Sequence, residues 1–117
     1  MNLPDTQPST PVTLDHDRRF HPRYTVQVQI AIHLEGSDVP MRLETTDLSR
    51  GGCYIQLMMP LPLAAHVHAT LWLDDVPIKI RGRVVTRHPQ YGNGIMFLDF
   101  EGEGEHLLKR YLEAIAT

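Results

Sequence analysis

The sequence predicts a small all-β domain in which six short strands form an antiparallel barrel or sandwich, covered by one C-terminal helix. Apolar residues fall on alternate positions in several short runs, a pattern typical of half-buried strands. Turn signals separate these runs about every 8 to 12 residues, as in small barrels and sandwiches. Apolar residues at helical spacing occur near the end of the chain, which places the helix there.

The chain has the length of one domain. Its 117 residues are 42% hydrophobic, which is enough for one modest core. Residues 1–17 contain three prolines, several small polar residues and few apolar ones, so we expect a flexible N-terminal tail. The folded domain is therefore predicted at residues 18–117.

The first three predicted strands follow this tail. Apolar and polar side chains alternate over residues 24–34, which predicts the first strand. The sequence "EGSD" then makes a turn, and the alternation resumes over residues 39–46, so the two strands form a hairpin. A third strand is predicted at residues 53–58, before the prolines of "PLPL" force a loop.

Two further strands flank a tight turn at a pair of aspartates. Residues 66–73 alternate with four apolar side chains on one face, and they form the fourth predicted strand. Residues 76–85 form the fifth. Its apolar face switches between Val84 and Val85, which indicates a β-bulge at that point.

The last strand and the helix complete the predicted fold. The sequence "HPQYGNG" predicts a loop at residues 88–94, and residues 95–100 form the sixth strand. After the linker "EGEGE" the chain predicts one amphipathic helix. The apolar residues at helical spacing are Leu107, Leu108, Tyr111, Leu112 and Ile115.

Composition limits the classes of function. The net charge of −3 gives no general basic field, so DNA and RNA are not expected partners and any anion site must be local. The one cysteine, Cys53, excludes an internal disulfide and suits a reducing compartment. We find no apolar run of membrane-spanning length and no secretory signal, so we expect a cytoplasmic protein without membrane insertion.

A cluster of arginines, in "DHDRRFHPRY" at residues 15–24, precedes the first strand. Nine of the eleven basic residues of the chain are arginine, whose planar guanidinium can bind phosphate in a fork. In extended chain Arg19 and Arg23 lie about 13 Å apart on one side and could bind two ends of one anion. The alternative is a solvated basic patch.

The sequence "DLSRGG" at residues 47–52 offers two interpretations. It is a connection if Asp47 and Ser49 bond their own backbone and the glycine pair supplies backbone angles that other residues resist. It is a binding site if the Asp47 carboxylate accepts two donors of a guanine edge and Gly52 lets a ligand approach the backbone. The hairpin returns Asp47 to the end of the sheet where Arg23 lies, so we expect the two motifs to be neighbours.

At these residues the chain resembles the PilZ domains of bacteria. The family pattern RxxxR is matched by Arg19 and Arg23, and the pattern [DN]xSxxG is matched by Asp47, Ser49 and Gly52. The resemblance continues through "GRVV" and "YGNGIMFLDF" and covers about residues 18 to 115. It implies a six-stranded antiparallel barrel with a flanking helix, and binding of the second messenger cyclic di-GMP without chemical turnover.

The resemblance also implies how the motifs bind the ligand. Arg19 and Arg23 are assigned to phosphates and guanine edges. Asp47 and Ser49 are assigned to a guanine and its surroundings, and Gly52 keeps the turn open. No catalytic residue, metal or cofactor is expected, since cyclic di-GMP is a ligand that the protein does not turn over.

Further positions concern the number of ligands and their bases. Arg18 lies where relatives that bind a stacked pair of ligands often have an extra arginine, so we expect two molecules of cyclic di-GMP per chain. Many relatives place an aromatic residue near Val85 or Thr86, and this chain has none there. Further candidates for ligand contact are His21, Arg50, Gly51 and Arg87.

Three rival functions compete with the receptor interpretation. A metal enzyme would use His66 and His68, which share a strand face, but two ligands do not make a catalytic zinc site and surface histidines are the better account. His21 and His88 lie in predicted loops near the site and would modulate it with pH.

The second rival function is a PilZ-like docking module that binds no nucleotide. The third is a barrel that binds single-stranded nucleic acid.

The favoured interpretation is a single-domain receptor that signals to an unidentified effector protein. We expect the arm at residues 15–23 to fold over the bound ligand and to change the surface shown to that partner. The family leaves motility, exopolysaccharide synthesis and surface attachment open as the process controlled.

Overall fold

The computed structural model describes residues 21–116, which form a closed barrel of six antiparallel strands followed by a helix. The elements are β1 Gln29–Leu34, β2 Met41–Leu48, β3 Gly52–Gln56, β4 His66–Leu73, β5 Val76–His88, β6 Gly92–Phe100 and α1 Gly104–Ala116. Around the barrel the strands follow the order β1, β2, β3, β6, β5, β4, and β4 pairs with β1 to close it. The predicted six-stranded antiparallel barrel is confirmed. The predicted tail at residues 1–17, with Arg18 and Arg19, lies outside the described residues.

The chain before β1 is bound to β2 by a few backbone hydrogen bonds and by one side chain, instead of by a regular ladder. The alternation predicted from residue 24 is present in the burial pattern, but β1 begins only at Gln29. The hydroxyl of Thr45, which is fully buried, accepts from Val28 N at 3.0 Å and donates to Val26 O at 2.8 Å. These bonds satisfy backbone groups that a continued strand would have paired.

The predicted loop at residues 88–94 is wrong in its extent. β5 continues to His88 and β6 begins at Gly92, so the turn occupies only residues 89–91. Gly92 pairs with Gln56 in the sheet. The strands approach closely there, and an added Cβ would lie 2.0 Å from Ile55 O, so the position requires glycine. The β-bulge predicted near Val84 is confirmed by a shift of register between Val84 and Thr86.

The loop at residues 57–65 is bound by a buried side chain as well as by backbone hydrogen bonds to β5 and to the turn that follows it. Asn93 on β6 accepts from Leu61 N at 2.7 Å and donates to Leu61 O at 3.0 Å and to Thr86 O at 3.2 Å. β3 ends at Gln56 instead of residue 58, so this loop starts earlier than predicted.

The core lies inside the barrel and under the helix. Inward positions of the strands supply most of it, including the predicted apolar face of β4. The helix contributes Leu108 and Leu112, whereas Leu107 and Ile115 remain exposed, so α1 covers the barrel with a narrower stripe than its spacing predicted. Within residues 21–116 no helix is long and apolar enough to cross a membrane.

We predict that Thr45→Val lowers the free energy of unfolding by about 2 kcal/mol, because it leaves a buried N–H and a partly buried carbonyl without their partner. Urea unfolding measures this change. Thr70→Val on the outer face of β4 is the control and should change the stability by less than about 0.5 kcal/mol. Equal effects of the two substitutions would contradict the role of the Thr45 hydroxyl.

Candidate ligand-binding site

The two arginine-containing motifs meet where the chain before β1 pairs with the end of β2. Tyr24 and Leu48 exchange two backbone hydrogen bonds of 2.9 Å, which sets their neighbours Arg23 and Asp47 diagonally across from each other on one face. Arg23 Nη1 donates to Asp47 Oδ2 at 3.1 Å. The expected neighbourhood of the arginine cluster and "DLSRGG" is therefore confirmed for Arg23.

This ion pair leaves binding capacity on both partners. The side chain of Arg23 is 42% exposed, and within residues 21–116 only one of its five N–H donors is bonded. Asp47 Oδ1 is buried and has no hydrogen-bond partner among the described residues. A buried acceptor without a partner costs about 1 to 3 kcal/mol, so this oxygen is a strong acceptor for any donor that reaches it.

Ser49 shapes the turn that follows Asp47. Its Oγ accepts from Gly51 N and Gly52 N, both at 3.1 Å, and donates to Gly52 O at 3.3 Å. A serine hydroxyl has one proton to donate and two lone pairs, so all of its capacity is used. Direct contact with a ligand requires that one of these bonds be exchanged.

The glycine pair serves packing and not unusual backbone angles. Neither Gly51 nor Gly52 has a positive φ, so the pair does not supply the unusual angles that the interpretation as a connection assigned to it. A Cβ on Gly52 would lie 2.1 Å from Ile95 O, because β3 and β6 approach closely there. From the sequence we expected Gly52 to keep the turn open. The structure instead explains Gly52 by the close contact between β3 and β6.

His21 lies over the turn. A Cβ on Gly51 would lie 3.1 Å from His21 Cδ2, which shows how close the ring is. Its Nδ1 is buried and has no partner within the described part of the chain. That nitrogen and Asp47 Oδ1 are the two buried side-chain polar atoms of residues 21–116 that lack a partner, and both lie at this site.

The remaining predicted residues are placed differently. Arg50 is exposed within the turn. Arg87 pairs with Asn93, whose side chain points into the barrel, so Arg87 lies on the face of β5 opposite to Thr86 and His88. The structure does not bring it to Asp47. Arg18 and Arg19 lie outside the described residues.

Sequence reasoning did not identify Tyr54. This residue of β3 is the antiparallel partner of Asp47, and its hydroxyl lies 2.8 Å from His88 Nδ1. Burial, and secondarily the negative charge of Asp47, raise the pKa of Tyr54. The alternation of β3 places Tyr54 outward, but its partner His88 is 34 residues away and becomes adjacent only when the barrel closes.

The family pattern of PilZ domains matches residues 17–114, which is most of the chain. The chain belongs to the PilZ domain family. PilZ domains are non-enzymatic nucleotide-binding and adaptor domains, which sets the metal-enzyme interpretation aside. Comparison with curated proteins gave no match.

Solved structures show the same fold. The PilZ domain of CeSA from a cellulose-synthesising bacterium has a TM-score of 0.64 at 15% identity, over 82% of this chain and 99% of that chain. The Bacillus subtilis inhibitor of motility, MotI/DgrA, has a TM-score of 0.66 at 13% identity, over 82% of this chain and 50% of that chain.

The histidines of this PilZ domain that suggested a metal lie elsewhere on the barrel. His68 stacks on His33 with ring centroids 5.3 Å apart, and its Nε2 lies 3.6 Å from Glu35 Oε1. Among residues 21–116 no three His, Cys, Asp or Glu side chains cluster in an arrangement that could hold a metal ion. His66 is exposed at the start of β4.

The carboxylate of Asp47 influences the buried thiol of Cys53 inside the barrel. Burial raises the pKa of the Cys53 thiol to about 12, with a further increase from Asp47 that Arg23 opposes. The carboxylate is the larger of these two influences.

We predict a loss of stability at alkaline pH that depends on Cys53. The unfolded thiol ionises near pH 9.0 while the folded thiol stays protonated to about 12, so stability falls as the pH rises above 9. The loss between pH 7 and pH 10 should be about 1.4 kcal/mol larger in the natural protein than in Cys53→Ala. Urea unfolding at both values measures it, and equal losses would contradict the raised pKa.

Proposed function

We propose that this PilZ domain is a cytoplasmic receptor for cyclic di-GMP that signals to a partner protein without chemical turnover. The observation that supports this most is the pairing of Arg23 with Asp47, which sets free guanidinium donors beside a buried carboxylate oxygen that has no partner within residues 21–116. A cyclic guanine dinucleotide combines phosphates with guanine edges that carry N–H donors, and it satisfies both groups.

The chemistry of each partner fits this ligand. A guanine edge donates through two N–H groups, and a carboxylate accepts such a pair. The guanidinium forks around phosphate or binds the acceptor atoms of guanine. The exposed ion pair contributes at most about 1 kcal/mol. Each charged hydrogen bond with a ligand is worth roughly 1.5 to 3 kcal/mol, so ligand contacts outweigh the pair that they replace.

Other residues complete the proposed site. Arg19 binds phosphate or guanine as the first arginine of RxxxR, and Arg18 supports a second, stacked ligand molecule. Ser49 and Gly52 hold the turn, through the hydroxyl bonds and the close strand contact described above. Further candidates for contact with the ligand are His21, Arg50, Gly51 and Arg87. Arg87 is the least favourably placed of them for this contact.

The proposed signal is a change of surface. The arm at residues 15–23 closes over the ligand, because its arginines gain phosphate partners there, and the altered surface binds or releases an effector protein. Control of motility is one candidate output, since MotI/DgrA has this fold and is an inhibitor of motility. Biofilm functions such as exopolysaccharide synthesis or attachment are equally compatible with such a receptor.

One observation favours a second candidate, a docking module that binds no nucleotide. The Ser49 hydroxyl is saturated by the turn, and Arg23 and Asp47 already bind each other. Groups that bind each other in this way could serve as a rigid surface for a protein partner.

Calorimetric titration with cyclic di-GMP separates the two candidates. We expect Arg23→Ala or Asp47→Ala to weaken binding by about 10- to 100-fold, the worth of one charged hydrogen bond. Arg42→Ala and Glu44→Ala, which alter exposed charges farther along β2, are matched controls and should bind as the natural protein does. If the natural protein binds no cyclic di-GMP, the docking module is favoured; full affinity in both site variants would remove these residues from the site.

Stoichiometry tests the proposed role of Arg18. Two stacked dinucleotides bring four phosphates together, so their repulsion requires an additional cation. We expect two ligands per chain in the natural protein and one in Arg18→Leu, counted by titration well above the dissociation constant. A ratio of one in the natural protein would show that Arg18 has no such role.

A further inference from the structure

Tyr54 stands directly beside the carboxylate of the proposed site. Asp47 and Tyr54 are partners across β2 and β3, and the side chains of such a pair lie on one face of the sheet about 5 Å apart at their Cβ atoms. The influence of Asp47 on the pKa of Tyr54 reflects the same proximity. A planar group whose edge is bound by Asp47 therefore has the Tyr54 ring next to it.

The ring of Tyr54 is fixed before any ligand arrives. Its hydroxyl lies 2.8 Å from His88 Nδ1, and the two rings are 5.8 Å apart at a tilt of 38°. His88 ends β5, so the bond connects β3 to β5 across β6. Fixing a side chain in advance removes the conformational cost that binding would otherwise carry.

The strand next to Tyr54 carries no side chain at the neighbouring position. The next outward position, on β6, is Gly94, which has no side chain and donates its N–H to Thr86 Oγ1 at 2.8 Å. A Cβ on Gly94 would lie 2.5 Å from that hydroxyl, so no side chain of β6 rises between Tyr54 and Thr86. The Tyr54 ring can therefore cross β6 to reach His88.

We propose that Tyr54, positioned by His88, is the surface on which the base bound by Asp47 stacks. This inference rests on the proposed function. It divides recognition between two neighbours: Tyr54 supplies affinity for any purine, and Asp47 selects guanine. Stacking on an aromatic side chain tolerates every base, whereas hydrogen bonds to a base edge distinguish one base from another.

The division can be measured with two ligands, cyclic di-GMP and its inosine analogue, which lacks the exocyclic amino group. Tyr54→Leu should weaken binding of both by about 10-fold or more and leave the ratio of their affinities unchanged. Asp47→Ala should instead reduce that ratio toward one. Tyr91→Leu is the matched control, because Tyr91 is 71% exposed in the turn between β5 and β6, and it should leave both affinities unchanged.

His88→Ala tests the positioning role. It should weaken binding of both ligands by about 2- to 5-fold, because the ring remains but is no longer fixed. Tyr54→Phe, which keeps the ring and loses the hydroxyl, should have the same effect. In the double variant the two losses should not add, since both remove one bond.

The outcomes separate this inference from the proposed function. If the natural protein binds cyclic di-GMP and Tyr54→Leu binds it equally well, the stacking role is wrong and the receptor function stands. If the natural protein does not bind it, both are wrong. The ring carbon signals of Tyr54 in the natural protein give a measurement independent of variant folding: they should shift on addition of cyclic di-GMP, and unchanged signals at saturation would overturn the inference.

Discussion

The pairing of the chain before β1 with the end of β2 is the constraint on which the candidate site depends. It is held by the reciprocal backbone bonds of Tyr24 and Leu48 and by the buried hydroxyl of Thr45. Buried bonds of this kind are costly to break, whereas the exposed Arg23 to Asp47 ion pair is worth at most about 1 kcal/mol. The geometry of the site thus comes from the backbone, and the ion pair can exchange its partners without loss of the fold.

The closed barrel supplies a rigid platform beside this pairing. Close contact between β3 and β6 requires glycine at position 52, and the turn before it is locked by Ser49. Beside this rigid turn lie the two buried polar atoms that lack a partner within residues 21–116, on Asp47 and His21. A fixed surface with unsatisfied polar atoms is a suitable arrangement for binding without catalysis.

Much of the fold could be predicted because the barrel depends on local alternation. Each strand shows its inward face in its own sequence, and counting residues along the first hairpin was enough to bring Asp47 to Arg23. Several of the failures have one physical origin, which is contact between distant strands. Gly92 suggested a loop because glycine is common in turns. The position requires glycine for another reason, since a Cβ there would meet the carbonyl of Ile55 on another strand. The bond between Tyr54 and His88 likewise exists only because β6 joins β3 to β5.

The most direct test of the account is a titration with cyclic di-GMP followed by backbone amide shifts in two-dimensional NMR spectra. We expect large shifts at residues 21–24, at residues 47–52 and at Tyr54, with the outer face of β4 at Thr70 and Trp72 unchanged. Shifts confined to the β4 face, or none at saturating ligand, would contradict the claim that these two segments form one nucleotide site.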